Sequence, residues 1–262
     1  MRRRSLTELA ENPDLISGIY NYCDRWCERC SFTSRCLVFA TEEEDDHGDP
    51  ESRDINNEKF WRKLSSIFKE TKEMILEWAV EEGIDLTNLD EEVMVKAQKL
   101  HNDAEDHSLA LAGKQYANCV TKWFAEFNQT IESTDVPEDA TAEEQSEQVG
   151  EATEVIYWYQ YQIAVKTIRA LWSRNTEVDL EDRTDDGADP KDSDGSAKVA
   201  LVGIDRSIGA WRLMQLGIPE RAELIVPLVL QLDRLRNATE KEFPNARDFI
   251  RPGFDEIVGE VN

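Results

Sequence analysis

Apolar residues recur at helical spacing in five long stretches of this chain, and nowhere do they alternate over a useful length at the two-residue period of a strand. A chain with that pattern can bury its apolar surface only by packing helix on helix. The first stretch runs from 58 to 83, where Phe60, Leu64, Ile67, Met74, Ile75 and Trp78 form one stripe and Gly83 closes the helix. Asp90 is a fitting N-cap for the second, about 90 to 132. Val93, Ala97, Leu100, Ala104, His107 and Leu111 make its first stripe; Tyr116, Val120, Trp123, Phe127 and Ile131 continue on a rotated face. A straight helix of that length would run about 60 Å, so a bend is expected near Gly113 or around residues 102 and 103. A third helix is predicted over 151–175 with the stripe Glu154, Trp158, Tyr161, Val165, Ile168 and Trp172. The fourth, about 196–216, carries Leu201, Ile204, Ile208 and Trp211 and is ended by Gly217 and Pro219. The fifth, about 219–241, is expected to kink at Pro227, whose ring removes a backbone hydrogen bond. Tryptophans on these helices read as core. The expected fold is all-α: an antiparallel bundle of about five helices behind an N-terminal Cys-rich helical head.

Composition divides the chain. Residues 1–38 form the Cys-rich head, 39–57 an acidic linker with Gly48 and Pro50 as breakers, and 58–262 the bundle domain. Acidic loops are expected within the bundle at about 134–150 and 177–195. The net charge of −25 repels phosphate backbones, which argues against direct nucleic-acid binding by the body of the protein. The most apolar run, 224–232, is nine residues long and contains Pro227. A bilayer needs roughly 20, so no membrane span is expected. The N-terminus is basic but lacks the apolar stretch of a secretory signal, and the expected location is cytoplasmic. Cysteines in that reducing compartment are ligands more often than disulfide partners.

Four cysteines, Cys23, Cys27, Cys30 and Cys36, fall within fourteen residues at the spacing C-x3-C-x2-C-x5-C. Thiolates are soft, strong ligands for iron and zinc, so the box points to a metal cofactor. If residues 14–31 are helical, Cys23, Cys27 and Cys30 share a face and Cys36 returns from the following turn. On such a helix Cys23 and Cys30 lie about 10 Å apart along the axis. That is too far for one tetrahedral zinc with Zn–S bonds of about 2.3 Å. An iron–sulfur cluster, of the four-iron, four-sulfur kind, is therefore the first choice and zinc the alternative. Arg2, Arg3, Arg4, Arg25, Arg29 and Arg35 surround the box and would offset the negative charge of a metal held by four thiolates. The competing reading is an apolar seam of Ile16, Tyr20, Cys23, Cys27 and Cys30. The fifth cysteine, Cys119, reads as core.

Cys23, Cys27 and Cys30 resemble the C-x3-C-x2-C loop of radical S-adenosylmethionine enzymes. That resemblance implies a β/α barrel and an aromatic residue before the third cysteine, where this chain has Arg29 and no strand pattern. Cys27, Cys30 and Cys36 are similar to the cluster staple of certain helicase-associated nucleases, over ten residues and without a strand-borne acidic site. Neither resemblance carries a function to this chain.

A second metal site between helices would need carboxylates and histidines. Its candidates are His101 and Glu105 at i, i+4, His107, Glu154 and Asp205. Asp205 lies between Leu201 and Ile208, so it should be buried and need a partner, with Arg169, Lys166 or His107 expected. The functional reading is a metal-binding protein for electron transfer, redox sensing or partner binding, with a redox protein or another protein as its partner. The alternatives are a bundle oxidoreductase with a carboxylate/histidine metal, or a zinc-stabilised interaction module without catalysis. Nothing in the sequence names a catalytic residue or a substrate.

Overall fold

The computed structural model describes residues 6–46, 50–52, 54–86, 91–131, 140–181 and 191–255. These hold eight α-helices and no strand: α1 (Leu6–Ala10), α2 (Leu37–Asp46), α3 (Glu58–Glu81), α4 (Glu91–Glu105), α5 (Ser108–Ile131), α6 (Ala140–Glu181), α7 (Asp192–Gly217) and α8 (Ala222–Glu242). The all-α fold is as expected. Two compact units are present, one of Met1–Tyr20 with Cys27–Lys99, the other of Asn21–Trp26 with Leu100–Asn262. The sequence divides at 38 and 58; the units instead place α3 with the head and a six-residue piece of the head with the bundle.

In the second unit α5, α6, α7 and α8 pack in a ring of neighbours. Side-chain pairs fix their direction. Thr153 meets Met214, and Ser173 meets Asp192, so α6 and α7 run antiparallel. Gly113 lies against Ala164 and Phe124 stacks on Tyr157, so α5 and α6 do likewise. Asp205 pairs with Arg236 across α7 and α8. At the centre Trp123, Phe124, Phe127 and Trp211 interlock edge to face and face to face, and the exposed Tyr157 stacks on Phe124. The Trp211 indole N–H donates to the Tyr116 hydroxyl at 2.9 Å, both side chains being fully buried. Glycines permit the closest approaches. A Cβ on Gly203 would stand 2.9 Å from the Tyr159 ring, and one on Gly113 would stand 3.1 Å from the Ala164 backbone.

Four expectations are corrected. The long second region breaks at Asp106 and His107, just beyond the expected residues 102 and 103, and Gly113 is a packing position inside α5. The linker and acidic loops are partly helix: α2 takes Leu37–Asp46, α6 begins at Ala140 and α7 at Asp192. Ala, Glu and Gln are strong helix formers, so an acidic run is not by itself evidence of a loop. Along α6 the buried face is Ala152, Ile156, Tyr159, Ile163, Ala170 and Leu171, while Tyr161, Val165 and Trp172 of the expected stripe are exposed. The buried face lies two residues earlier along the helix than the expected stripe, and α6 carries aromatic residues on both faces. Finally, α3 does not bury its stripe: Ile67, Met74, Ile75 and Trp78 are exposed, as is Val93 on α4. Asp90, Gly48 and Arg2 to Arg4 lie outside the described residues.

The chain beyond α8 is latched to α7 by Lys198, whose ammonium donates to the carbonyls of Arg247 at 3.1 Å and Phe249 at 2.5 Å and pairs with Asp255 at 2.9 Å. Hydrogen bonds from Arg251, aided by Lys198, hold the Asp255 carboxyl well below the usual carboxylate range. A depressed carboxylate stabilises the fold above its unfolded value of about 3.9, and the contribution is lost as pH falls below it. Acid unfolding of Asp255→Asn is therefore expected to lose part of the wild-type dependence on pH below about 4. Superimposable acid titrations of the two proteins would contradict this latch.

Candidate functional site

The Cys-rich segment is a chain of short 3-10 turns, Ile19–Asn21, Cys27–Arg29 and Thr33–Arg35, and not the helix supposed over 14–31. Local side-chain bonds account for the change. Asn12 accepts from the Asp14 amide at 3.0 Å and Asp24 from the Trp26 amide at 3.2 Å, offering the backbone partners that a helix would otherwise supply. Gly18 and Arg25 adopt positive φ, 70° and 58°, which no helix interior contains. With the box in turns, the separation of Cys23 and Cys30 along a helix axis no longer weighs against zinc.

Within the first unit the turn Cys27–Arg29 is closed by the Cys30 amide donating to the Cys27 carbonyl at 3.2 Å. The Phe32 amide donates to the Cys30 sulfur at 3.4 Å. Cys36 follows the turn Thr33–Arg35 and leads into α2. The Ile16 amide donates to the Arg35 carbonyl, and the Arg35 guanidinium donates to the Asp14 carbonyl, tying the turns together. Cys27 and Cys30 both line a cavity of about 710 Å³, walled by Phe39 of α2 and by Phe60, Leu64 and Ile67 of α3. Glu28, Glu42 and Lys63 also reach it. Phe60 and Leu64 are half-buried, while Ile67 and the rest of the α3 stripe are exposed.

Cys23 belongs to the second unit, on the segment Asn21–Trp26 that straps across the bundle. Tyr22 packs on Phe249 with ring centroids 4.7 Å apart, above Gly195. Burial, with the Asp192 carboxylate beside it, pushes the Tyr22 hydroxyl up to about 12. The Asp24 carboxylate accepts from Arg206 at 2.7 Å and from the Tyr159 hydroxyl, and its carbonyl accepts from the Trp158 indole at 2.9 Å and from Gln162. Trp26 stacks on Trp158 at 4.9 Å. Lys166, buried, donates to the Asn21 carbonyl at 3.4 Å, and burial lowers its ammonium. Burial likewise pushes the Cys23 thiol up. Reading the sequence for cysteines alone missed this strap. Its signal was available in Tyr22, Asp24 and Trp26, the large and charged residues interleaved with the cysteines.

The second-site candidates do not converge. His101 and Glu105 form an exposed pair at 3.4 Å, and Lys114 also meets Glu105. His107 faces Glu242 at 3.9 Å, and Glu154 is exposed. Asp205 is 37% exposed and pairs with Arg247 at 2.6 Å and Arg236 at 3.6 Å, correcting both its burial and its expected partners. Arg169 instead pairs with Asp192, and Lys166 with the strap. The sequence cannot show that α8 and the tail bring two arginines to Asp205. Asp205→Asn is expected to cost under about 1 kcal/mol in a denaturant melt, the scale of a partly exposed ion pair. A loss of several kcal/mol would show a buried role instead. Cys119 packs against the core, as expected. Among the described residues no group of three or more His, Cys, Asp or Glu side chains stands ready to hold a metal ion. Likewise, no helix among them is long and apolar enough to cross a membrane. Comparison with protein-family models, curated proteins and solved structures found no match for the chain.

Proposed function

We propose that this is a metal-binding protein whose cysteine box takes up an iron–sulfur cluster, for electron transfer, redox sensing or partner binding. Cys27, Cys30 and Cys36 supply thiolates from the turns of the first unit, and the sequence spacing supplies Cys23 as the fourth. The observation that carries the reading is the density of the box: four thiols in fourteen residues, two of them lining one cavity. Such donors suit iron and zinc and suit magnesium or calcium poorly. Short turns can draw together around a metal in a way that a helix cannot, and uptake is then coupled to local folding of the box. The amide of Phe32 aimed at the Cys30 sulfur is the kind of contact that steadies a thiolate ligand. Arg25, Arg29 and Arg35 offset the charge that four thiolates bring. When bound, a cluster would supply single-electron transfer.

Zinc is the second reading, favoured by the turn conformation of the box. Against it, zinc sites usually carry two separated C-x2-C knuckles, and this chain has one. The Cys27→Ser, Cys30→Ser double variant is expected to lose its metal while keeping the helical circular dichroism of the wild type. Full metal stoichiometry in that variant would defeat both readings.

A further inference from the structure

We infer that Cys27 and Cys30 form a redox-active dithiol that exchanges with disulfides, glutathione disulfide or an exposed protein disulfide being the class of substrate. The inference goes beyond metal binding and concerns the metal-free chain. In a 3-10 turn the side chains at i and i+3 eclipse, and three residues advance about 6 Å. Cys27 and Cys30 are such a pair, their turn closed by the 3.2 Å bond from the Cys30 amide to the Cys27 carbonyl. That separation lies within the Cα–Cα range of about 4.4–6.8 Å that a disulfide spans. Both are free, half-buried cysteines. They open onto the same cavity, which gives an incoming disulfide access to the sulfurs.

The Cys30 sulfur, which receives the Phe32 amide at 3.4 Å, takes the first step. Its thiolate attacks one sulfur of the substrate RS–SR; the S–S bond breaks and RS⁻ leaves, taking up the proton that Cys30 gave up. The Cys27 thiolate then attacks the Cys30 sulfur of the mixed disulfide and expels the second RS⁻, which takes up the Cys27 proton. The two protein thiols become one disulfide and RS–SR becomes two RSH. A bound metal would occupy the same sulfurs, so metal loading and disulfide exchange exclude each other.

The test uses full-length protein, stripped with EDTA and reduced, then incubated with glutathione disulfide and blocked with iodoacetamide. Trypsin cuts after Arg25, Arg29 and Arg35, so a Cys27–Cys30 disulfide joins two otherwise separate peptides, 26–29 and 30–35. That linked pair is expected as the main product. In Cys27→Ser the reaction should stop at glutathionylated Cys30, whereas Cys36→Ser and Cys119→Ser should still give the linked pair. Glutathione spread over separate cysteines with no linked pair, or linkage of Cys23 to Cys36 instead, would overturn the inference. Metal content of the protein as purified is a separate measurement. A colourless, metal-free protein that still yields the linked pair would sink the cluster reading alone, and a metal-loaded protein without it would sink the dithiol alone.

Discussion

Trp211→Ala should be the most damaging single substitution in the bundle, lowering its stability by about 3–5 kcal/mol. The indole is fully buried and touches Trp123 and Phe124, and its N–H is the donor to the buried Tyr116 hydroxyl. Truncation therefore leaves a cavity and removes that hydroxyl's indole donor, and the two costs add. A domain of this size is stable by only about 5–15 kcal/mol, so the variant should melt far below the wild type. Far-ultraviolet circular dichroism in a urea series is the measurement, since it does not depend on the lost fluorophore. A change below about 1 kcal/mol would mean that the aromatic centre is not packed as described.

The second large effect is a reversal of sign between two glycines of one helix. Gly209 has open space where a Cβ would go, so Gly209→Ala should stabilise α7 by about 0.5–1 kcal/mol through backbone entropy and helix propensity. Gly195 is different. A Cβ there would fall 2.4 Å from the Tyr22 ring and 2.7 Å from Phe249, closer than any van der Waals contact allows. Gly195→Ala should therefore cost about 1–3 kcal/mol, the usual penalty of overpacking. Relief of that clash has to shift the Tyr22 or Phe249 ring, and Tyr22 sits next to Cys23, so the strap Asn21–Trp26 should loosen with it. Faster labelling of Cys23 by a thiol reagent would report that loosening. If Gly195→Ala stabilises the protein as Gly209→Ala does, the strap does not lie where it is described.

The periodicity of the sequence is enough to identify the fold class and part of the core of α7, because Leu201, Ile204, Ile208 and Trp211 recur at helical spacing and all four are buried. The same reasoning misplaced the buried face of α6, where Tyr157, Trp158, Tyr159 and Tyr161 surround the helix and periodicity cannot choose among them. It also assigned α3 a buried stripe. An amphipathic pattern shows that a face is apolar but not that a partner lies against it. At the cysteine box, the spacing suggests a ligand set but predicts the wrong backbone. Side-chain bonds from Asn12 and Asp24 over two residues and the left-handed Arg25 outweigh a helical spacing that was only compatible with a helix. Asp205 shows a third kind of miss. Its arginine partners lie 31 and 42 residues further along the chain, where no local pattern points to them.

Iron and acid-labile sulfide determined on full-length protein purified without oxygen test the central claim most directly. The account predicts a brown protein with about four iron and about four sulfide per chain, both lost on substituting Cys27 and Cys30. A colourless protein containing zinc, or one containing no metal, would contradict it.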